Sequence, residues 1–322
     1  MTHHVLKATK STVHLGGFSH LLEPALTINS GDTIDLETYT GYYIHEQAPP
    51  EFVTPEFLDI CKNLPSERKI AAGPHLLTGP IYIQDAKPGD VLEIRLEAIA
   101  PSLPVGFNAI RAGWGALPNQ FTQPALRFIP LDLVNNIAEF PPGSGIKIPI
   151  KPFFGILGVA TPESERSSIP PGYYGGNIDN RELQAGSRLF LPVFVPGGLF
   201  SIGDGHSAQG DGEVNVTAIE TSMNGRIQIK LRQDLPITTP IAETPTDIIT
   251  MGFAPTLDTA LEIALNNMID FLKNFLNLSP EEAYVLCSLA VNFRITQVVN
   301  SPNKGVHGML PKAIVSSKID LI

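Results

Sequence analysis

Apolar and polar side chains alternate in several short stretches of the chain. The clearest of these runs are residues 33–37, 91–97, 189–195, 214–219 and 227–231. The side chains of a strand point alternately to its two faces, so a period of two predicts strands with one buried face. Glycine (28 residues) and proline (29 residues) are abundant between the runs, which favours a mainly β structure built from many turns.

Two of these predicted strands begin directly after a Gly-Asp pair. Gly31 and Asp32 precede the first run, and Gly89 and Asp90 precede the second. Glycine supplies the positive φ that a tight turn requires, and a short Asp side chain can accept a hydrogen bond from the nearby backbone. We therefore interpret these aspartates as turn residues and not as catalytic groups.

The period of the apolar pattern changes after about residue 255. Apolar residues then recur at steps of three and four from Leu257 to Phe275, which predicts one buried face of a helix that begins after Thr256. The sequence Ser-Pro-Glu-Glu at residues 279–282 matches a capping box with proline at the first helical position. It predicts a second helix that extends to about Ala290.

A strand at 293–299 and a turn are expected after the second helix. The sequence thus predicts two parts. Residues 1–250 form a mainly β body that carries the candidate site described below, and residues 251–322 form a C-terminal α/β portion packed on it.

Composition and charge narrow the class of protein. The chain has 322 residues, of which 43% are hydrophobic and 17% charged, and this ratio is typical of a folded globular protein. Its net charge of −10 and the lack of a dense basic run argue against nucleic acid as a partner. No apolar run approaches the roughly 20 residues of a membrane helix. The first residues lack the pattern of a secretory signal, so we expect a cytoplasmic protein.

Residues 203–213 are the most unusual segment, because glycines alternate there with ionisable side chains. If the chain is extended here, Asp204 and His206 point to one side, as do Asp211 and Glu213. Glycine allows close approach of a ligand, and an imidazole with several carboxylates suits a divalent metal or acid–base chemistry. A glycine-rich turn with internal hydrogen bonds is the alternative. The crowding of a histidine, a glutamine and three carboxylates favours a functional site.

Common signatures of other enzyme classes are missing. The sequence contains no G-x-S-x-G nucleophile elbow and no phosphate-binding G-x-x-x-x-G-K-[ST] loop. Cys61 lies in a short amphipathic stretch and Cys287 in an apolar predicted helix, so both are expected to be structural thiols. Neither a serine nor a cysteine nucleophile is indicated.

Short strings spread along the chain resemble the acetamidase/formamidase family. They run in family order from about residue 20 to 315, so the resemblance covers nearly the whole chain. The strings are residues 30–38, 75–80, 88–90, 109–115, 154–160, 169–172, 175–180, 191–197, 203–213, 282–284 and 311–312. The glycine-rich string is the most specific of them.

The resemblance implies hydrolysis of a short aliphatic amide, such as formamide or acetamide, to ammonia and the carboxylate. It also implies a jelly-roll-like β-sandwich with additional β structure and a C-terminal α+β portion, and a homodimeric assembly. Some members of the family carry zinc or calcium. We expect a divalent metal here, zinc before calcium, that activates water and polarises the carbonyl.

Candidate roles for individual residues follow from this resemblance and from the chemistry of amide hydrolysis. The metal candidates are Asp204, His206, Asp179 and His75. The candidates for proton transfer are Glu213, Glu37 and Asp211, and the candidates for substrate binding are Asn177 and Gln209. In a metal-free version, the same carboxylates act as base and acid directly.

Two departures and two alternatives stay open. Asn292 and Asn300 stand where aspartate is expected from the resemblance, and they are either neutral changes or marks of a changed substrate pocket. A lactam or other C–N hydrolase on the same scaffold is one alternative. A non-catalytic β-sandwich that binds a small ligand is the other, since one fold can serve several functions.

Overall fold

The computed structural model describes residues 1–315. They form three α-helices, α1 Pro55–Asn63, α2 Leu257–Leu276 and α3 Pro280–Ala290, and three short 3-10 helices, Tyr42–Ile44, Ser66–Arg68 and Lys312–Ile314. The strands are β1 His3–Leu6, β2 Val13–Leu15, β3 Gly17–Phe18, β4 Leu26–Ile28, β5 Thr33–Thr38, β6 Leu76–Ile83, β7 Val91–Pro101, β8 Val105–Ile110, β9 Ala125–Asp132, β10 Ile137–Glu139, β11 Lys147–Pro149, β12 Phe153–Gly158, β13 Arg166–Ser167, β14 Gly175–Asn177, β15 Arg188–Pro192, β16 Phe200–His206, β17 Met223–Arg232, β18 Ile241–Glu243, β19 Asp247–Ala254, β20 Asn292–Gln297 and β21 Lys304–Pro311.

Most strands belong to two large sheets. The first sheet has nine strands in the order β1-β5-β17-β7-β15-β18-β19-β21-β20. The second has six, in the order β14-β12-β16-β6-β2 with β4 also beside β6. Neighbouring strands are antiparallel except in the pairs β1–β5 and β4–β6. A four-stranded sheet, β11-β10-β9-β8, and the pair β13-β3 are smaller additions.

The nine-stranded and six-stranded sheets share one hydrophobic core. Ile94 of β7 and Ile227 of β17 belong to the same cluster of buried side chains as Phe154 of β12 and Ile202 of β16. All four side chains are fully buried, and burial of each contributes about 1.5–3 kcal/mol. The mainly β sandwich predicted from the sequence is therefore confirmed.

Three of the five alternating runs coincide with strands. The runs at 33–37, 91–97 and 227–231 lie in β5, β7 and β17. The run at 189–195 continues as a strand only to Pro192, because proline has no N–H to donate to a ladder.

The fifth run, at 214–219, is not a strand, and that prediction is wrong. Val216 has a φ of 95°, which breaks the extended conformation that alternation requires. The side chain of Thr217 accepts a hydrogen bond from the N–H of Ala109 at 2.8 Å, and the N–H of Ile219 donates to the Ala208 carbonyl, so scattered bonds and not a continuous ladder tie the segment to its neighbours. The segment is a loop that wraps around the cavity described below.

The turns before β5 and β7 match their prediction. Gly31 and Gly89 have φ values of 90° and 97°. Asp32 and Asp90 each accept a hydrogen bond, at 3.0 Å, from the backbone N–H three residues earlier. Both aspartates therefore stabilise turns.

The two predicted helices are also confirmed. Helix α2 begins after Thr256, whose side chain accepts a hydrogen bond from the N–H of Thr259. Helix α3 begins with the capping box of Ser279 and Glu282. No helix within residues 1–315 has the length and hydropathy needed to cross a membrane.

Helices α2 and α3 pack on the end of the nine-stranded sheet. Their apolar faces share a core with Ile248 of β19 and Leu310 of β21. Strand β20 corresponds to the run predicted at 293–299. Residue 250 lies inside β19, so one sheet extends across the predicted boundary at residue 250. Residues 316–322 of the C-terminal portion lie outside the described residues.

Candidate active site

A small cavity lies beside the end of strand β16. Its volume is about 50 Å³, whereas one water molecule requires roughly 10–15 Å³, so the cavity suits a molecule of a few heavy atoms. Its polar lining includes Thr40, Tyr43, His75, Arg111, Asn177, Asp179, Asp204, Glu213, Thr217, Glu220 and Asn300.

Strand β16 brings Asp204 and His206 to the same side, as the alternation in the sequence predicts. His206 Nε2 lies 3.4 Å from Asp204 Oδ2, and both side chains are buried. The ring of Phe153 on the neighbouring strand β12 packs edge-on against the His206 ring, with 5.0 Å between centroids. Packing thus fixes the orientation of the imidazole.

Gly155 of β12 provides the space into which these side chains project. A Cβ atom at this position would lie 2.9 Å from His206 Cε1 and 3.0 Å from Asp204 Oδ2, and it would also collide with Asp179 Oδ1. The contacts with Asp179 and His206 are too short for a real Cβ and the contact with Asp204 is tight, so the glycine at position 155 lets the three polar side chains converge.

Asp179 enters the cluster from the turn after β14. Its Oδ1 lies 3.9 Å from His206 Nδ1, and its Oδ2 accepts a hydrogen bond from Asn300 Nδ2 at 2.5 Å. Gln209 links the two residues: its Oε1 lies 2.9 Å from His206 Nδ1, and its Nε2 donates to the Asp179 carbonyl at 2.8 Å. Asp179 and the imidazole are therefore held in a fixed relation.

The loop after β16 contributes two further carboxylates, Glu213 and Glu220. Glu220 Oε2 lies 3.2 Å from His206 Nε2, while its Oε1 accepts a hydrogen bond from the N–H of Ala218 at 2.9 Å. Glu213 is only 5% exposed and lines the cavity. Four buried carboxylates thus surround one histidine.

Three of these carboxylates lie on strained backbone. The φ angles of Asp179, Asp204 and Glu213 are 48°, 58° and 46°, a region that residues other than glycine seldom adopt. Such conformations cost of order 1–3 kcal/mol each and persist where surrounding structure enforces them, often at functional sites. The strain therefore supports a functional interpretation of the cluster.

The cluster contains groups of unequal acidity. Burial raises the pKa of Asp179 to about 6 and that of Glu220 to about 7. Burial and the adjacent Asp179 raise the pKa of Glu213 well above its usual value. Burial disfavours a charged His206, but the carboxylates of Glu220 and Asp204 raise its pKa well above the ordinary value. Despite burial, neighbouring histidines lower the pKa of Asp204. Divergent pKa values of this kind are typical of acid–base sites.

His75 lies just before β6 and faces the same cavity. Its Nδ1 lies 2.8 Å from Ser168 Oγ, and its Nε2 lies 3.9 Å from Asp204 Oδ2. Burial lowers the pKa of this imidazole, so we expect it to be neutral at pH 7.

The nine residues singled out in the sequence divide into two groups. Seven lie in the cluster or directly against it: Asp204, His206, Asp179, His75, Glu213, Asn177 and Gln209. The other two, Glu37 and Asp211, do not line this cavity. Glu37 is 3.3 Å from Lys7 Nζ, and Asp211 is exposed, 3.7 Å from Arg181. Side chains alternate along β5, so the Glu37 carboxylate lies on the face away from the cavity. The chain reverses at Gly212, so the Asp211 carboxylate also points away from the cavity.

Six polar residues of the cavity are not among the nine predicted site residues: Thr40, Tyr43, Arg111, Thr217, Glu220 and Asn300. Glu220 follows the run at 214–219, for which the alternating pattern predicts a strand. A strand there would not bring Glu220 back beside His206, as the loop does. Arg111 lies in the string 109–115, and Asn300 was noted only as a departure. Their positions depend on contacts between distant segments, which a single sequence does not reveal.

The donor atoms of the cluster fit a divalent metal ion. His206 Nε2, Glu220 Oε2, Asp179 Oδ1 and Glu213 Oε2 are buried and have no hydrogen-bond partner within residues 1–315, although buried polar atoms are normally paired. Two sets of three residues, both including His206, have ligand atoms within 4.8 Å of one another. One set adds Asp204 and Glu220, and the other adds Asp179 and Glu213.

Comparisons with known proteins agree with the resemblance seen in the sequence. The profile of the acetamidase/formamidase family matches residues 67–166 and 160–317. A putative formamidase of Schizosaccharomyces pombe is 31% identical over 264 residues, which are 65% of this chain and 61% of that protein. The chain thus spans about three-fifths of the length of this relative.

Two crystal structures are similar over nearly their whole length. A predicted acetamidase/formamidase from Thermoanaerobacter tengcongensis has a TM-score of 0.84 and 28% identity, with 98% of each chain covered. An acetamidase from Bacillus halodurans has a TM-score of 0.83 and 28% identity, with 98% of this chain and 99% of that chain covered. Together with the family profile, which matches more than half of the sequence, they lead to one conclusion: the chain belongs to the acetamidase/formamidase family.

Proposed function

We propose that this protein hydrolyses short aliphatic amides, such as formamide and acetamide, to ammonia and the corresponding carboxylate. The observation that carries the proposal is the buried cluster of four carboxylates and His206 around a cavity of about 50 Å³. A cavity of this size favours substrates with a short acyl group, and family membership supports the reaction class.

Amide hydrolysis requires a strong nucleophile and a proton for the leaving amine, because an amide carbonyl is a poor electrophile. Glu213 faces the cavity with an oxygen that has no hydrogen-bond partner among residues 1–315. A buried carboxylate with a raised pKa binds a proton from water more readily and then donates it to the departing nitrogen. We therefore assign proton transfer to Glu213.

Asp179 is the second carboxylate that we assign to this proton transfer. Two buried carboxylates close together do not both ionise readily, and burial raises the pKa of both Asp179 and Glu213. Asn300 donates to Asp179 Oδ2 and thereby leaves Oδ1 directed at the cluster. Asparagine at position 300, noted in the sequence as a departure, suits this donor role.

For the metal proposed from the sequence we assign Asp204, His206 and Glu220, one of the two sets whose ligand atoms lie close together, with His75 nearby. This set differs from the set expected at first, because Glu220 takes the place of Asp179. A bound divalent ion supplies a water molecule of lowered pKa. The mixture of nitrogen and carboxylate donors favours zinc over calcium, which prefers oxygen ligands alone.

Ammonia release from formamide, acetamide and propionamide tests the proposal, with purified protein before and after chelation and re-addition of zinc or calcium. We expect turnover that chelation abolishes and zinc restores. Ammonia release that persists after complete removal of metal would contradict the proposed metal requirement. Absence of ammonia release from all three amides would contradict the proposed hydrolysis. A cytoplasmic location and a homodimeric assembly stay predictions.

A further inference from the structure

Arg111 is a cationic side chain on the wall of the same cavity. It directly follows strand β8, and its guanidinium carbon lies 4.1 Å from the centroid of the Tyr43 ring. The Tyr43 ring in turn packs edge-on against Phe107 of β8, with 6.1 Å between centroids. Phe107 is fully buried, so the surface on which the guanidinium stacks is rigid.

The guanidinium is not neutralised by a carboxylate. Within residues 1–315, no Asp or Glu oxygen lies within 4.0 Å of Arg111, although Asp204, Glu213 and Glu220 line the same cavity. Stacking on an aromatic face occupies the flat side of a guanidinium and leaves its in-plane N–H donors available. The Tyr43 side chain also forms a hydrogen bond with Arg111, but a guanidinium has five N–H donors, so Arg111 keeps further donors in a cavity whose other charged groups are mostly acceptors.

A small amide has matching polarity at its two ends. Its carbonyl oxygen only accepts hydrogen bonds, and its NH₂ group donates them. The carboxylates of the cluster suit the NH₂ group, whereas the donors of Arg111 suit the oxygen. The product carboxylate would meet repulsion from the acidic cluster, and a guanidinium pairs with a carboxylate through two parallel hydrogen bonds.

We propose that Arg111 binds the acyl oxygen of the amide substrate and then the carboxylate of the product. This inference rests on the proposed amide hydrolysis. Water oxygen forms a bond to the acyl carbon, and the carbonyl electron pair moves to the oxygen, where Arg111 stabilises the negative charge. The carbonyl then re-forms as the C–N bond breaks, and the nitrogen takes both protons of the water, so that amide and water give carboxylate and ammonium.

Binding of acetate and formate by purified protein, followed by calorimetric titration, tests Arg111 without any need for turnover. We expect Arg111→Gln to weaken binding of both anions by about tenfold or more, because charge-assisted hydrogen bonds are lost. Arg111→Lys keeps the charge but not the planar fork, so its loss is smaller. Arg127→Gln is the matched control, since Arg127 is an exposed arginine on the adjacent strand β9 and does not line the cavity.

Turnover of acetamide by the same variants separates this inference from the proposed function. We expect Arg111→Gln to lower kcat/KM by at least about tenfold with an unchanged thermal midpoint, and Arg111→Lys to recover part of it. If both Arg111 variants bind acetate within twofold of the unsubstituted protein, the inference is overturned even when amides are hydrolysed. If anion binding depends on Arg111 but no amide is hydrolysed, the proposed anion site is supported and the proposed hydrolysis is contradicted.

Discussion

Glu220 Oε2 and His206 Nε2 lie 3.2 Å apart inside the protein, although His206 ends strand β16 and Glu220 lies 14 residues later in the loop before β17. The second ring nitrogen of His206 lies 2.9 Å from Gln209 Oε1. Gln209 therefore fixes the Nδ1 edge of the imidazole, and the Nε2 edge faces two carboxylate residues, Asp204 and Glu220. This arrangement makes Glu220 a central residue of the site.

Replacement of Glu220 tests its proposed place beside the metal. We expect Glu220→Gln to weaken zinc binding by at least about tenfold, because an anionic donor becomes a neutral amide. Competition with a chromophoric chelator measures the affinity. Glu97→Gln, an exposed position on β7, serves as control, and an unchanged zinc affinity in Glu220→Gln would remove this residue from the metal site.

The sequence predicted the parts of the site that are encoded locally. Asp204 and His206 are two residues apart on one strand, so alternation alone places them together. Glu220 and Asn300 reach the same place only through a loop reversal and through the turn between β20 and β21. Those contacts depend on how distant segments pack, and no short pattern carries that information.

The two predicted residues that do not line this cavity, Glu37 and Asp211, have a similar explanation. An extended segment would place Asp211 and Glu213 on one side. Gly212 has a φ of 93° and Glu213 a φ of 46°, so the chain reverses and only Glu213 is buried. Glu37 lies on β5, where it pairs with Lys7 at the surface. The period of the apolar pattern and the composition predicted the fold class well, because apolar and polar residues alternate in β5, β7 and β17 as their more and less buried faces alternate.

A methyl group at position 155 tests whether the cluster needs the bare backbone of β12. Gly155→Ala would force Asp179, His206 and Asp204 apart, so we expect at least a tenfold fall in amide turnover and weaker metal binding. Gly210→Ala is the matched control, because a Cβ there meets no atom within 4 Å. Equal activities of the two variants would contradict the role of Gly155.

Two buried histidines outside the cluster predict a loss of stability in acid. Burial lowers the pKa of His14 and of His307 to about 3 each, whereas an unfolded histidine titrates near pH 6.5. The unfolded state therefore binds more protons below about pH 6.5, and stability present above that pH falls as the pH drops towards 3. The slope approaches about 1.4 kcal/mol per pH unit for each histidine.

Chemical denaturation of His307→Gln between pH 7 and pH 5 measures this effect. The variant lacks one of the two titrating groups, so we expect a smaller decrease in unfolding free energy than in the unsubstituted protein. Other groups titrate equally in both proteins and cancel in the comparison. Parallel pH dependences would show that His307 is not buried in the neutral form.

Glu93 of β7 joins three arginines on the nine-stranded sheet. Its carboxylate lies 2.6 Å from Arg95 Nε, 3.5 Å from Arg188 Nη1 and 2.7 Å from Arg232 Nη1. Arg188 and Arg232 also pair with Glu243 and Asp234, so removal of the Glu93 charge mainly leaves Arg95 uncompensated. We expect Glu93→Gln to lower the unfolding free energy by about 3 kcal/mol, and Glu97→Gln on the exposed face to change it by less than about 0.5 kcal/mol. Equal midpoints in denaturant would refute the network's contribution.

The central claim is that the buried carboxylate of Glu213 transfers the proton in amide hydrolysis. Its most direct test is the initial rate of ammonia release from formamide and acetamide by the unsubstituted protein, by Glu213→Gln and by Glu37→Gln. We predict turnover by the first, a loss of about 10²–10⁴-fold in the second, and a rate within about twofold in the third, whose side chain points to the surface. Full activity in Glu213→Gln would contradict the account.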